Sequence, residues 1–166
     1  NLPRRRRAQS CPTSKDLIHW SEQEVILAPD DSDKARTEFY YMRPFHHAGR
    51  YAALLMKYYA DPLKPGKHSA LTETELIVSS DGRQWRRPFR QTNLGFWTMA
   101  QPFLREDRHL CFPAAEGGAM VLHTFPLSRL SAVTAKKEGS FVTPVIELTE
   151  AGLVMDADAR NGLIEV

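Results

Sequence analysis

The residues with chemical reach in this 166-residue chain are few and scattered. His46 and His47, taken with His68 or Asp61, have the types that suit a metal ion, and Cys11 and Cys111 are the two thiols. Adjacent histidines on a turn point apart, so the set does not converge on one ion. The cysteines show no Cys-x-x-Cys spacing and no close histidine, which gives neither a zinc signature nor a disulfide framework and leaves them as plain thiols. No Gly-x-Ser-x-Gly elbow presents a serine nucleophile. A phosphate-binding loop and a Gly-x-Gly-x-x-Gly turn are also missing, which argues against nucleotide chemistry. These residues call for no metal and no cofactor.

The elements that must position any site announce themselves in a phrase written twice. Ser14-Lys15-Asp16-Leu17-Ile18-His19-Trp20 and Ser79-Ser80-Asp81-Gly82-Arg83-Gln84-Trp85 share the Asp-to-Trp spacing, with the aspartates 65 residues apart (81 minus 16). Recurrence of one phrase suggests a recurring supersecondary unit. Its chemistry is that of a tight turn: an Asp side chain bonds backbone groups just ahead, Gly82 can take positive φ, and the tryptophan locks the turn onto a sheet. Trp20 and Trp85 are the expected anchors, and the aspartates read as scaffold.

Composition sets the bounds. A chain of this length, 42% hydrophobic, can bury one core. Its net charge is +2, but Arg4 to Arg7 supply four positive charges, so the remainder sums to −2. Nothing in the body advertises nucleic acid, and residues 1–12, with Pro3 and Pro12 beside the arginines, read as a basic disordered tail rather than a binding arm. No apolar run approaches the ~18 residues that span a bilayer, and the N-terminal residues lack the apolar stretch of a signal peptide, so no membrane association is expected. The residues alone assign no compartment.

Strand signals fill most of the chain. Glu38 to Phe45 reads as a strand, His46 to Gly49 as a turn and Arg50 to Tyr59 as its partner. The run Tyr51 to Tyr59 is apolar enough for a helix, but its tyrosines and its short span between Gly49 and Pro62 favour a strand buried on both faces. Thr72 to Val78 alternates weakly, with Thr72, Thr74, Leu76 and Val78 on one face. With a short strand at Trp85, residues 38–88 make four antiparallel strands. A second unit follows: Thr98 to Leu104, Arg108 to Ala114 and Ala119 to Phe125, with turns at Glu106-Asp107 and Gly117-Gly118. Beyond Leu127, Ser131 to Lys137 is open between strand and short helix, and Phe141 to Leu148 reads as a strand. Leu153 to Ala157 is expected to pair with Leu163 to Val166 through Asn161-Gly162. The fold class is therefore all-β, with propeller-like blades over 13–126 and the start of a β-sandwich over 127–166.

Together, Ser14 to Trp20, Glu38-Phe39-Tyr40-Tyr41-Met42-x-Pro44-Phe45 with Gly49-x-Tyr51, Leu76 to Trp85, and Thr143-Pro144 through Val166 resemble the five-bladed β-propeller glycosidases of glycoside hydrolase families 32 and 43. The resemblance implies a partial propeller of two to three blades, a carbohydrate substrate or ligand, and an extracellular or periplasmic location. It also implies hydrolysis by paired carboxylates, a nucleophile and a general acid ~5 Å apart in retaining enzymes. The family's Asn-Asp-Pro-Asn-Gly and Arg-Asp-Pro phrases are absent; Met42-Arg43-Pro44 lacks the acid, and neither cysteine follows a carboxylate. What the resemblance leaves is Glu38 as candidate catalytic carboxylate, with Arg43, Trp97 and Gln101 as candidate sugar-binding residues from adjacent inner strands. Each also reads as packing or surface. The alternative function is a non-catalytic glycan-binding or structural module, or an inactive fragment. Blades without closure also leave edges that invite self-association.

Overall fold

The computed structural model describes residues 6–59, 71–127, 129–143, 145, 147, 152, 155–160 and 162–165. The chain divides into two units, Asn1–Leu130 and Ser131–Val166. The described residues contain no helix, so the all-β class holds. Among the described residues, nine strands form three antiparallel sheets: β1 (Gln9–Ser10) with β2 (Val25–Leu27); β3 (Thr37–His47), β4 (Arg50–Tyr59), β5 (Leu71–Ser79) and β6 (Trp85–Arg86) in that order; and β7 (Phe103–Leu104), β8 (His109–Glu116) and β9 (Ala119–Pro126) in that order.

Turn chemistry sets the registers. His47 pairs with Arg50 across Ala48 and Gly49, whose φ angles are 48° and 70°. Glu116 pairs with Ala119 across Gly117 and Gly118, at 58° and 81°. Two consecutive positive φ values give a two-residue hairpin loop whose twist matches that of the strands.

β4 lies between β3 and β5, and its residues from Ala52 to Lys57 are buried, as a run apolar on both faces requires. One face presents Phe45, Ala52, Leu54 and Leu76 to Phe96, Leu110, Phe112 and Ala114. The other presents Phe39, Ala53, Leu55 and Ile77, against which Leu27, Met42 and Trp85 pack. β5 is covered more completely than its weak alternation implied, with Thr74, Glu75, Leu76 and Ile77 all buried.

The doubled phrase folds alike in both copies. In the first, Leu17 N donates to Ser14 Oγ at 2.8 Å, Ile18 N and His19 N donate to Asp16 Oδ1 at 2.9 and 2.8 Å, and Trp20 Nε1 donates to Leu17 O at 3.2 Å. In the second, Gly82 N donates to Ser79 Oγ at 2.9 Å, Arg83 N and Gln84 N donate to Asp81 Oδ1 at 2.8 Å each, and Trp85 Nε1 donates to Gly82 O at 3.0 Å. Leu17 takes φ 62° where Gly82 takes 75°, so the left-handed position belongs to the turn and not to the glycine. The first turn lies between β1 and β2, the second between β5 and β6. These bonds hold both aspartates ionised below the usual carboxylate range: His19 and the backbone ahead do so for Asp16, and the amides of Gln84 and Arg83 for Asp81. Only one tryptophan is an anchor, however. Trp85 is half-buried against the Phe39 cluster, whereas Trp20 is exposed.

Three element assignments change. Gln9–Ser10 falls within the stretch assigned to the disordered tail, yet it pairs with β2, and Phe39 N donates to Arg7 O at 3.0 Å. Only Phe103–Leu104 of the expected Thr98 to Leu104 strand is extended in a sheet. From Ser131 onward the described residues form no strand, neither at 131–137 nor at 141–143, and Val142 and Val145 are exposed. Thus no β-sandwich strand is present among the described residues there. Leu153, Val154, Asn161 and Val166 of the expected terminal hairpin lie outside the described residues.

Candidate functional site

Arg43 and Gln101 meet, but as fasteners of a loop. Arg43 Nη2 donates to Met99 O, Tyr41 Oη donates to the same oxygen at 3.2 Å, and Gln101 Nε2 donates to Pro44 O at 2.9 Å. On its other side the loop is fixed to β8, because the buried Thr98 hydroxyl donates to Pro113 O. The loop carrying Trp97 is therefore bonded to both large sheets, and Trp97 is 41% exposed. Gln101 sits in this loop and not, as expected, on an inner strand. Arg43 also lies over the Tyr41 ring, at 5.1 Å from its centroid, and its buried Nε has no hydrogen-bond partner among the described residues.

Glu38 lies apart from this loop. It is the second residue of β3, an edge strand, and five residues along the chain from Arg43, roughly 15 Å of strand. A bulge at Tyr40, where the register with β4 slips between Phe39 and Tyr41, intervenes. The Glu38 side chain is buried and pairs with Arg7 Nε at 3.2 Å. It is thus neither a solvated residue at a strand start nor one of a pair of facing carboxylates.

The carboxylates that do cluster were not singled out by the sequence. Lys57, Glu73 and Glu75 face the side of the sheet opposite Glu38, since Glu38 pairs with Tyr58 while Lys57 pairs with Glu73 and Leu55 with Glu75. Arg87 donates to Asp33 Oδ1 and Oδ2 at 2.7 Å each, and to Glu75 Oε1 and Oε2 at 3.1 and 2.7 Å. Its guanidinium also stands 4.8 Å from the Phe39 ring centroid. Lys57 Nζ approaches Glu73 at 3.2 Å and Glu75 at 3.4 Å. Outward from this centre, Lys34 and Tyr59 bond Glu73 at 2.8 and 2.6 Å, and Arg90 bonds Asp30 at 2.8 and 2.6 Å.

Four cations (Lys34, Lys57, Arg87, Arg90) thus meet four carboxylates (Asp30, Asp33, Glu73, Glu75), and the charges cancel. Burial pushes Asp33 up and Arg87 down, but their mutual bonds outweigh it, so Asp33 stays below the carboxylate range and Arg87 above its own. Burial and then the Glu73 carboxylate push the Tyr59 phenol upward. A cluster in which every charge is matched and bonded is a clamp, with no group left poised to accept or give a proton. The signal that could have revealed it is Lys57 itself, a cation inside an apolar run read as buried on both faces.

One consequence is acid sensitivity. Burial raises the Glu73 carboxyl, but Lys34, Tyr59 and Lys57 outweigh it and hold it at about 2 against an ordinary 4.5. A folded-state value below the unfolded one stabilises above the unfolded value and is lost as the pH falls through the folded one. Urea midpoints should therefore decline between pH 4.5 and about 2. A Glu73→Gln variant should be weaker than wild type at neutral pH and converge with it at the acid end, and parallel curves would contradict this account.

Only His46 and His47 of the histidine set weighed for a metal lie among the described residues. His46 packs edge-on against Tyr51 with centroids 4.5 Å apart, His47 Nδ1 is buried without a hydrogen-bond partner among the described residues, and Asp61 and His68 lie outside them. No group of three or more His, Cys, Asp or Glu among the described residues is placed to hold an ion. Cys11 and Cys111 are free thiols. No helix among the described residues is long and apolar enough to cross a membrane. Comparison of the chain with family models, with curated proteins and with solved structures finds no match in any of the three.

Proposed function

We propose that the chain is the propeller-type part of a carbohydrate-active protein, and that its own contribution is sugar recognition rather than bond cleavage. The carrying observation is the Trp97 loop. It is bonded to β3 through Tyr41, Arg43 and Gln101 and to β8 through Thr98, and it leaves Trp97 41% exposed. A rigid aromatic plate beside polar groups matches a sugar ring, which offers an apolar face and a rim of hydroxyls. The repeated turn, which in both copies links two neighbouring antiparallel strands, supports the propeller reading of the scaffold.

Cleavage fits less well. A retaining hydrolase needs a second carboxyl about 5 Å from the first, and Glu38 is instead paired with Arg7, while the clustered acids face the other side of its sheet. Titrating the chain with a panel of fructans and other oligosaccharides should give saturable quenching of tryptophan fluorescence. Trp97→Ala should weaken it about tenfold, the worth of one aromatic contact. Equal affinity in both proteins, or binding by neither, would remove the proposal. Aryl glycoside hydrolysis that is present in wild type and lost in Glu38→Gln would restore the hydrolase reading.

A further inference from the structure

We propose that Glu38, Tyr40 and Tyr58 form a binding site for an organic cation with a guanidinium or alkylated ammonium group, and that Arg7 is its built-in occupant. The bulge creates the site. By adding Tyr40 to β3, it brings that ring over the partner of Glu38, Tyr58, with centroids 6.0 Å apart and planes 26° from parallel. The Arg7 guanidinium stands 5.2 Å from the Tyr40 centroid and 5.7 Å from that of Tyr58, and its Nε meets Glu38 Oε2 at 3.2 Å.

Two aromatic faces and one buried carboxylate are the elements that recognise a weakly hydrated, delocalised cation. A compact ammonium would lose more hydration on entering and gain less from the rings. The backbone around Arg7 is held by other bonds, Phe39 N to Arg7 O at 3.0 Å and Gln9 Nε2 to Phe39 O at 2.9 Å. The side chain is 44% exposed, so it can leave while the segment stays docked. A tethered occupant competes at an effective concentration of about a millimolar, so with millimolar intrinsic affinity Arg7 fills about half of the sites and roughly doubles the free ligand needed. The site is independent of the Trp97 loop and of sugar binding.

The test uses the full chain with Arg7→Ala, which keeps the carbonyl that bonds Phe39. Ethylguanidinium and tetramethylammonium are titrated separately while the tyrosine ring resonances are followed by NMR, with ethylurea as the neutral control. Arg7→Ala should shift the resonances of both rings saturably with ethylguanidinium, and wild type should need about twofold more ligand. Ethylurea should give no saturation. Adding Glu38→Gln or Tyr40→Ala to Arg7→Ala should each weaken binding about tenfold; Tyr40 is 38% exposed, so its loss leaves the core intact. Saturation by tetramethylammonium alone would narrow the ligand to alkylated ammonium ions. No saturation by either cation in folded Arg7→Ala, equal binding in wild type, or equal binding of ethylurea would overturn the proposal.

Discussion

Replacing Arg87 with methionine is expected to lower the unfolding free energy by about 3–5 kcal/mol, the cost of stripping one partner from a buried ion pair. The size follows from what remains. Asp33 and Glu75 would keep side chains only 5% and 0% exposed, and each would lose two charge-assisted bonds from the same guanidinium. Lys57 still approaches Glu75 and Arg90 still approaches Asp33 at 3.7 Å, which limits the loss without replacing the fork. A lysine at position 87 should rescue little, because a point charge cannot bond two carboxylates in two planar pairs. The double variant Arg87→Met with Glu75→Met should be less destabilised than the sum of the single ones, since the second change removes one of the two orphaned charges. Chemical denaturation measures all of these. A loss for Arg87→Met below about 1 kcal/mol would class the cluster with surface ion pairs and refute its role as a clamp.

That cluster also shows why some of the molecule was readable in the sequence and some was not. The repeated turn was readable because its bonds run from each serine and aspartate to amides two or three residues ahead; local chemistry leaves a local phrase. The β3-β4 hairpin was readable because an apolar run with turn residues on both sides has few other solutions. The clamp draws on residues 30–34, 57–59, 73–75 and 87–90, and taken singly each of these charges except Lys57 looks like a solvated one. Its members meet only through the register that sets Lys57 opposite Glu73 and Leu55 opposite Glu75. Glu38 was singled out as a candidate catalytic carboxylate, and it lies buried against Arg7. Its partner was hidden, because Arg7 lies in a run whose composition reads as tail. The Thr98 to Leu104 stretch misled for the opposite reason. Its apolar residues suit a strand, but the backbone carbonyl of Met99 is spent on Tyr41 and Arg43 side chains, leaving it unavailable to a ladder. Beyond Ser131 the apolar residues likewise predicted strands, yet a strand gains stability only from a partner, and Val142 and Val145 have none to bury against in the described chain.

Phe112→Ala is expected to cost about 3–5 kcal/mol, the range for deleting a buried aromatic side chain. Phe112 is 1% exposed and lies among three other rings, 5.6 Å from Phe45, 5.9 Å from Phe96 and 5.8 Å from Phe125. Two of these contacts are edge-on, at 76° and 78°, which is the favoured approach of ring edge to ring face. Phe45 belongs to β3 and Phe112 to β8, so this pair ties the four-stranded sheet to the three-stranded one, and the cavity would open at the junction and not inside one sheet. Phe112→Leu should recover more than half of the loss by refilling most of that volume. Because the Trp97 loop is bonded to both sheets, loosening their junction should also release it. The fluorescence of Trp97, read in a background where Trp20 and Trp85 are replaced by phenylalanine, should then report unfolding at the same denaturant concentration as far-ultraviolet circular dichroism in the Phe112 parent. In Phe112→Ala the loop signal should move first, separating the two transitions. Coincident transitions in both proteins would mean that the loop is held by β3 alone, and the Thr98 bond to β8 would lose its place in the account of how Trp97 is presented.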